Sequence, residues 1–194
     1  MDLLLAAGIG LWVMLPALIP NSAAVLLGGG RPVDLGRSWK GKRILGDGKT
    51  WWGLLGGVIF GTFAGLLQIL AALAYPADVW MPEAPVNYGF GPMPSAAFIV
   101  FLLALGAMLG DMGGAFIKRR RGMGRGEKAP VLDQLDFVVG AWVLAFVFFP
   151  NWFLETFIYD TGLVSLVTVL ILVPVLHRLI NIAGHRLGMK NEPW

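Results

Sequence analysis

Five stretches of this chain, about 3–27, 52–74, 95–116, 132–158 and 161–183, consist almost entirely of apolar residues. Each is long enough to cross roughly 30 Å of hydrocarbon as a helix, and a helix satisfies its own backbone hydrogen bonds where water is absent. A membrane barrel would alternate apolar and polar residues, and these runs do not. With 57% hydrophobic and 14% charged residues among 194, and a mean hydropathy of +0.72, the chain is too apolar for a soluble domain. The expected fold class is an all-α polytopic membrane protein: five transmembrane helices in a single integral membrane domain over 1–194. The first run has no basic segment before it and outlasts a signal peptide's apolar core, so it is taken as the first helix. Cysteine is absent, which excludes a disulfide framework and thiolate metal sites.

Charge is segregated. Of the 15 Lys and Arg residues, six lie between the first two runs (Arg31, Arg37, Lys40, Lys42, Arg43, Lys49). Another six lie between the third and fourth (Lys118 to Arg121, Arg125, Lys128), and three near the C-terminus (Arg178, Arg186, Lys190). The positive-inside rule then predicts an outer N-terminus, a cytoplasmic C-terminus and two cytoplasmic basic loops. The protein is expected in the cell membrane, multi-pass, with its active face cytoplasmic. The outer segments YPADVWMPEAPVNYGFGPMP and PNWFLETFIYDTG have the Pro and aromatic content of an interface. Their acids, Asp78, Glu83, Glu155 and Asp160, are assigned no chemistry.

The cytoplasmic loops, about 28–51 and 117–131, mix glycines with both signs of charge. GDGKTWWG at 46–53 looks like the end of a phosphate-binding P-loop, but Arg43 stands where the first glycine of that motif belongs. Its lysine also leads into a membrane span, not the helix of a soluble α/β sheet. Permissive glycines and six cations still offer what a phosphate chain requires, although such cations also do no more than set topology.

Three carboxylates add to this. Asp111, in LGDMGG near the end of an apolar run, is an ionisable group at or near membrane depth, which is expensive to leave unpaired. Its glycine neighbours allow a second backbone or a ligand to come close. Asp133 and Asp136, in VLDQLDFVVGAWV, share one face of a helix's first turn. Either alone could cap that helix. Together with Asp111 on the same side they suit Mg²⁺, a hard cation that takes oxygen ligands from carboxylates, water and phosphates. A transporter or scaffold, with Asp111 in an ion path, is the alternative; spans nearly empty of charge weigh against it.

PNSAAVLLGGGRPVDLG, GKRILGDGKTWWG, GDMGGAFIKRRRGMGRGE, LDQLDFVVGA and the ending HRLINIAGHRLGMKNEPW resemble the archaeal CDP-archaeol synthases. More distantly, GKTWWG, GDMGGAFIKR and LDQLD are similar to segments of CDP-diacylglycerol synthases. RGEKAPV departs from the Pro-Gly-His-Gly-Gly stretch of the bacterial enzymes, and Trp52 stands where a basic residue is frequent. The resemblance implies that CTP and 2,3-di-O-geranylgeranylglycerol 1-phosphate give CDP-archaeol and pyrophosphate. Asp111, Asp133 and Asp136 would hold Mg²⁺, and with Lys49 would be the catalytic set. Arg43 and the loop glycines would join Lys49 on the CTP phosphates, with Asn21, Asp47 and Thr50 of the same segments also on the substrate side. Lys118, Arg119 and Arg120 would take the lipid phosphate or pyrophosphate. His177, Asn181 and His185 repeat every four residues on one helix face, and the first two gain a substrate role from the resemblance. The partners implied are CTP, a phosphorylated isoprenoid ether lipid and the membrane, with no nucleic acid.

Overall fold

The computed structural model describes residues 2–75, 84–124 and 127–188, so Asp78, Glu83, Arg125 and Lys190 lie outside the described residues. Among the described residues, five helices are long and apolar enough to cross a membrane: α1 (Leu3–Leu27), α2 (Trp51–Ala74), α3 (Ser95–Arg120), α4 (Pro130–Phe148) and, after the short α5 (Pro150–Phe157), α6 (Gly162–Arg186). The mostly helical membrane fold is therefore as expected. It has one addition, an antiparallel hairpin between α1 and α2 made of β1 (Ser38–Trp39) and β2 (Lys42–Arg43). Its central residues Lys40 and Gly41 have φ of 51° and 75°, as a type I′ turn requires. Two residues per strand are too few to leave a period in the sequence.

Helix α2 turns its smallest residues inward. Gly53, Gly57, Gly61 and Gly65, spaced by four, are all buried. A Cβ on Gly61 would lie 2.6 Å from the Pro16 carbonyl oxygen, and one on Gly65 would lie 2.5 Å from Val100 Cβ. The glycines thus let α1 and α3 approach to backbone distance, the usual way helices associate where lipid competes for every large apolar side chain. Ile59, Phe60, Phe63 and Leu70 face outward on the same helix. Pro16 lacks an N–H and leaves the Trp12 carbonyl without its helical donor; buried Gln68 fills the gap, its Nε2 donating to that oxygen at 2.8 Å.

A second close crossing joins α3 to α4. A Cβ on Gly106 would meet the Gly140 carbonyl oxygen at 2.5 Å, and one on Gly140 would meet Gly110 Cα at 2.6 Å. One turn further, a side chain on Gly114 would collide with the Asp136 carboxylate. The glycines that hold the bundle together therefore also seat Asp136 against α3.

Two sequence boundaries are corrected. The run 132–158 is not one helix: Phe149, at φ −134° and ψ 63°, leaves the helical region before Pro150, whose ring disfavours α geometry in the preceding residue. Helix α3 does not stop near 116 but continues to Arg120, with Lys118, Arg119 and Arg120 in a last turn whose dipole favours cations. The loop expected at 117–131 is thus 121–129. Asp111 sits about two and a half turns inside α3.

Candidate active site

The α1–α2 loop is organised around a residue to which the sequence reading assigned no role. Asp34 Oδ1 accepts from Arg43 Nη2 at 2.8 Å and from Gly36 N at 3.1 Å, while Oδ2 accepts from Leu45 N at 2.9 Å, Gly46 N at 3.0 Å and Arg43 Nε at 3.3 Å. Its side chain is only 1% exposed. The Arg43 guanidinium, above all, holds this carboxyl well below the usual carboxylate range; burial opposes the shift and the amides of Gly46, Leu45 and Gly36 reinforce it. Asp34 in turn, with Asp47 second, holds Arg43 above the ordinary arginine range. Arg43 Nη1 lies 2.7 Å from Asp47, so its fork is shared between two acids. The signal that could have exposed Asp34 is Asp-Leu-Gly, a turn in which the acid accepts from the amide two residues on.

The loop closes on itself beside this hub. Val33 N donates to the Lys49 carbonyl at 2.8 Å and Trp51 N to that of Arg31 at 3.2 Å. Thr50 caps α2, its Oγ1 accepting from Gly53 N and Gly29 N at 3.2 Å each. Arg120 then ties the hairpin to α3: it donates to the carbonyls of Trp39, Lys42 (2.9 Å) and Arg43 (2.6 Å), with its guanidinium 5.3 Å from the ring centres of Trp39 and Phe116. Arg119 donates to the carbonyls of Leu45 and Met123.

Two adjoining clefts of about 550 and 540 Å³ open between this loop and the helices. They share a wall of Asp47, Gly48, Lys49, Asp111, Lys118 and Asp133. Lys49 is ion-paired with Asp111, and Lys118 with Asp133 at 2.8 Å. Asp133 also accepts from Ala129 N at 2.9 Å across the start of α4, so it is a reciprocal cap as well as a cleft residue. The first cleft continues to Asn21, Thr50, Met108, His177 and Asn181. Asn21 Oδ1 is buried there without a hydrogen-bond partner, Asn181 Nδ2 is 3.4 Å from His177 Nε2, and the His177 ring stands edge-on to Phe137 at 5.2 Å. The second cleft adds Arg43, Arg119 and Asp136. Every site residue expected from sequence lines one cleft or the other except Arg120, which clamps the loop.

Among the described residues, no three His, Cys, Asp or Glu side chains are grouped closely enough to hold a metal alone. Asp111, Asp133 and Asp136 nonetheless line one cleft. Mg²⁺ usually takes one or two carboxylates and completes its shell with water and substrate phosphates, so this set of hard oxygens beside cations suits it.

Residues 1–194 match the family model for CarS-like CDP-archaeol synthase. The chain is 47% identical over 185 residues to a CDP-archaeol synthase of Halorubrum lacusprofundi, with 94% of each chain covered. It is 47% identical over 196 residues to that of Halobacterium salinarum, with 100% of each covered, and 44% identical over 182 residues to that of Methanococcoides burtonii, covering 93% of this chain and 100% of that one. A solved structure of an intramembrane enzyme for archaeal membrane lipid biosynthesis is 39% identical, with a TM-score of 0.56 over 82% of this chain and 89% of its own. These likenesses decide against a transporter or scaffold. The chain is an enzyme, and it belongs to the family of CDP-archaeol synthases.

Proposed function

We propose that this enzyme uses Mg²⁺ to transfer the cytidylyl group of CTP to 2,3-di-O-geranylgeranylglycerol 1-phosphate, on the cytoplasmic face of the cell membrane, giving CDP-archaeol and pyrophosphate. The observation that carries this reading is the wall shared by the two clefts, where two lysine–aspartate pairs face both openings.

A phosphate oxygen of the lipid forms a bond to the α-phosphorus of CTP while the bond to the β-phosphate oxygen breaks. That oxygen leaves with pyrophosphate. A phosphate monoester is already anionic at neutral pH, so the site has no need of a strong base; it must position two anions and stabilise the charge that builds between them. Lys49 lies where it can exchange its Asp111 partner for a phosphate of CTP, and Lys118 where it can leave Asp133 for the lipid phosphate or pyrophosphate. Asp111, Asp133 and Asp136 would hold Mg²⁺, which when bound neutralises reacting phosphates and eases pyrophosphate departure. Arg119 borders the second cleft, and Arg43 is oriented there by its two acids.

Purified protein with α-labelled CTP and a panel of lipid phosphates tests the reaction. Label should enter lipid, and pyrophosphate appear, only when both substrates and Mg²⁺ are present. Label in lipid without Mg²⁺, or equal competition by ATP and unlabelled CTP, would overturn the reading. Sidedness is tested separately, because the chain has no cysteine of its own. Cysteine placed at Asn87 should react with an impermeant reagent from outside and cysteine at Gly124 should not.

A further inference from the structure

We propose that Asp34 is a positioning residue for the nucleotide, acting through the loop and never touching substrate. This rests on the reading of Lys49 as a ligand of the CTP phosphates. Asp34 lines neither cleft. It holds the backbone of Lys49 from both sides instead: its neighbour Val33 donates to the Lys49 carbonyl, and Lys49 N donates at 3.3 Å to the carbonyl of Gly46, whose own amide is bound to Asp34.

Both Asp34 oxygens are saturated. Five donors converge on them, from Arg43, Gly36, Leu45 and Gly46. An asparagine of the same size would present one acceptor oxygen and two unwanted N–H donors to the same ring of donors. With the amide nitrogen in place of Oδ2 the loop would lose one arm of the Arg43 fork and the anchors of Leu45 and Gly46, leaving Gly46, at φ 95°, free to turn; in place of Oδ1 it would lose the other arm and the Gly36 anchor. Nothing in the apolar bundle would change. An ordinary stabilising pair would act on folding alone, whereas this one stands between the loop's geometry and the charge it offers to one substrate.

The test is equilibrium binding of CTP with Mg²⁺, joined to steady-state kinetics, for Asp34→Asn, Arg43→Lys and the double variant. Asp34→Asn should weaken CTP binding at least about tenfold and raise the KM for CTP in parallel, with the KM for the lipid phosphate unmoved, since small misplacements of a binding group cost factors of this size. Hydrogen exchange should quicken in residues 36–49 and stay unchanged in the spans. Arg43→Lys should shift the same constants less, and the double variant should bind no worse than Asp34→Asn, because both act through one clamp. Additive losses, or a KM that moves equally for both substrates, would overturn the proposal. If Asp34→Asn does not fold, Arg43→Lys carries the test: a KM for CTP unchanged from wild type would overturn it. Wild-type protein that binds no CTP would instead refute the nucleotide reading itself.

Discussion

Two kinds of carboxylate–cation pair meet at this site, and they differ in access to solvent and in the number of donors around the acid. Asp34 is enclosed, with Arg43 and three backbone amides filling both oxygens. Asp111 and Asp133 are 24% and 30% exposed at the side chain and open on two clefts; one lysine holds Asp111, and one lysine with the Ala129 amide holds Asp133. A saturated acid cannot accept a new partner without unmaking its loop. A half-exposed acid with a flexible lysine can, because the lysine's ammonium is a movable point charge. The first kind builds the site, and the second is left open to the clefts.

The largest effect should follow from the carboxylates proposed to hold the metal. Asp136→Asn retains size and removes charge, so transfer should fall by at least about two orders of magnitude, as expected when a group stabilising transition-state charge is lost. Asp133→Asn should do the same, with a loss of about 1 kcal/mol of stability from its capping bond. Rates normalised to folded protein check both; a loss of stability with full activity would return Asp133 to a cap and nothing more.

Lys49→Met comes next. It should raise the CTP requirement and slow transfer by roughly tenfold, as for one lost phosphate contact, and it frees Asp111. Mn²⁺ binding measured by electron paramagnetic resonance should therefore be retained, and base preference should not change. Weakened Mn²⁺ binding would mean that Lys49 supports the acids and does not compete with them.

The enclosed pair should be silent across ordinary pH. Because its folded value is depressed, Asp34 contributes stability that is fully present above the unfolded carboxyl value of about 3.9 and is lost only as pH falls through the lower folded value. Loop protection measured by hydrogen exchange should thus be unchanged, after correction for intrinsic rates, from pH 9 down to about 5. A loss of protection near neutrality would contradict the charge assigned to Asp34.

The bundle supplies the smaller contrasts. Gly140→Ala overfills the α3–α4 crossing and should cost about 1–3 kcal/mol, lowering Tm in detergent and, by displacing Asp136, activity as well. Phe63→Leu, on the outward face of α2, should change neither beyond error.

Much of this was legible in the sequence because it rests on composition and spacing. The spans follow from apolar runs, and the cleft residues from charges confined to the ends of those runs. Asp34 escaped because its partners lie two to twelve residues away in irregular backbone, where no periodicity marks a contact. The clamp made by Arg120 was not legible, since charge alone does not tell a ligand from a clamp; this arginine spends donors on carbonyls of the hairpin. The glycines of α2 were visible at four-residue spacing, yet apolarity by itself does not say which face turns inward. Pro150 did carry a signal for the break after Phe149, overridden by the apolar residues on both sides.

The most direct test of the central claim, that the half-exposed pairs form the reacting wall, is the rate of cytidylyl transfer by Asp111→Asn at matched folded protein. Transfer should fall by at least about two orders of magnitude with Tm nearly unchanged, since a partly exposed pair contributes little to stability. Wild-type transfer by a folded Asp111→Asn enzyme would contradict the claim.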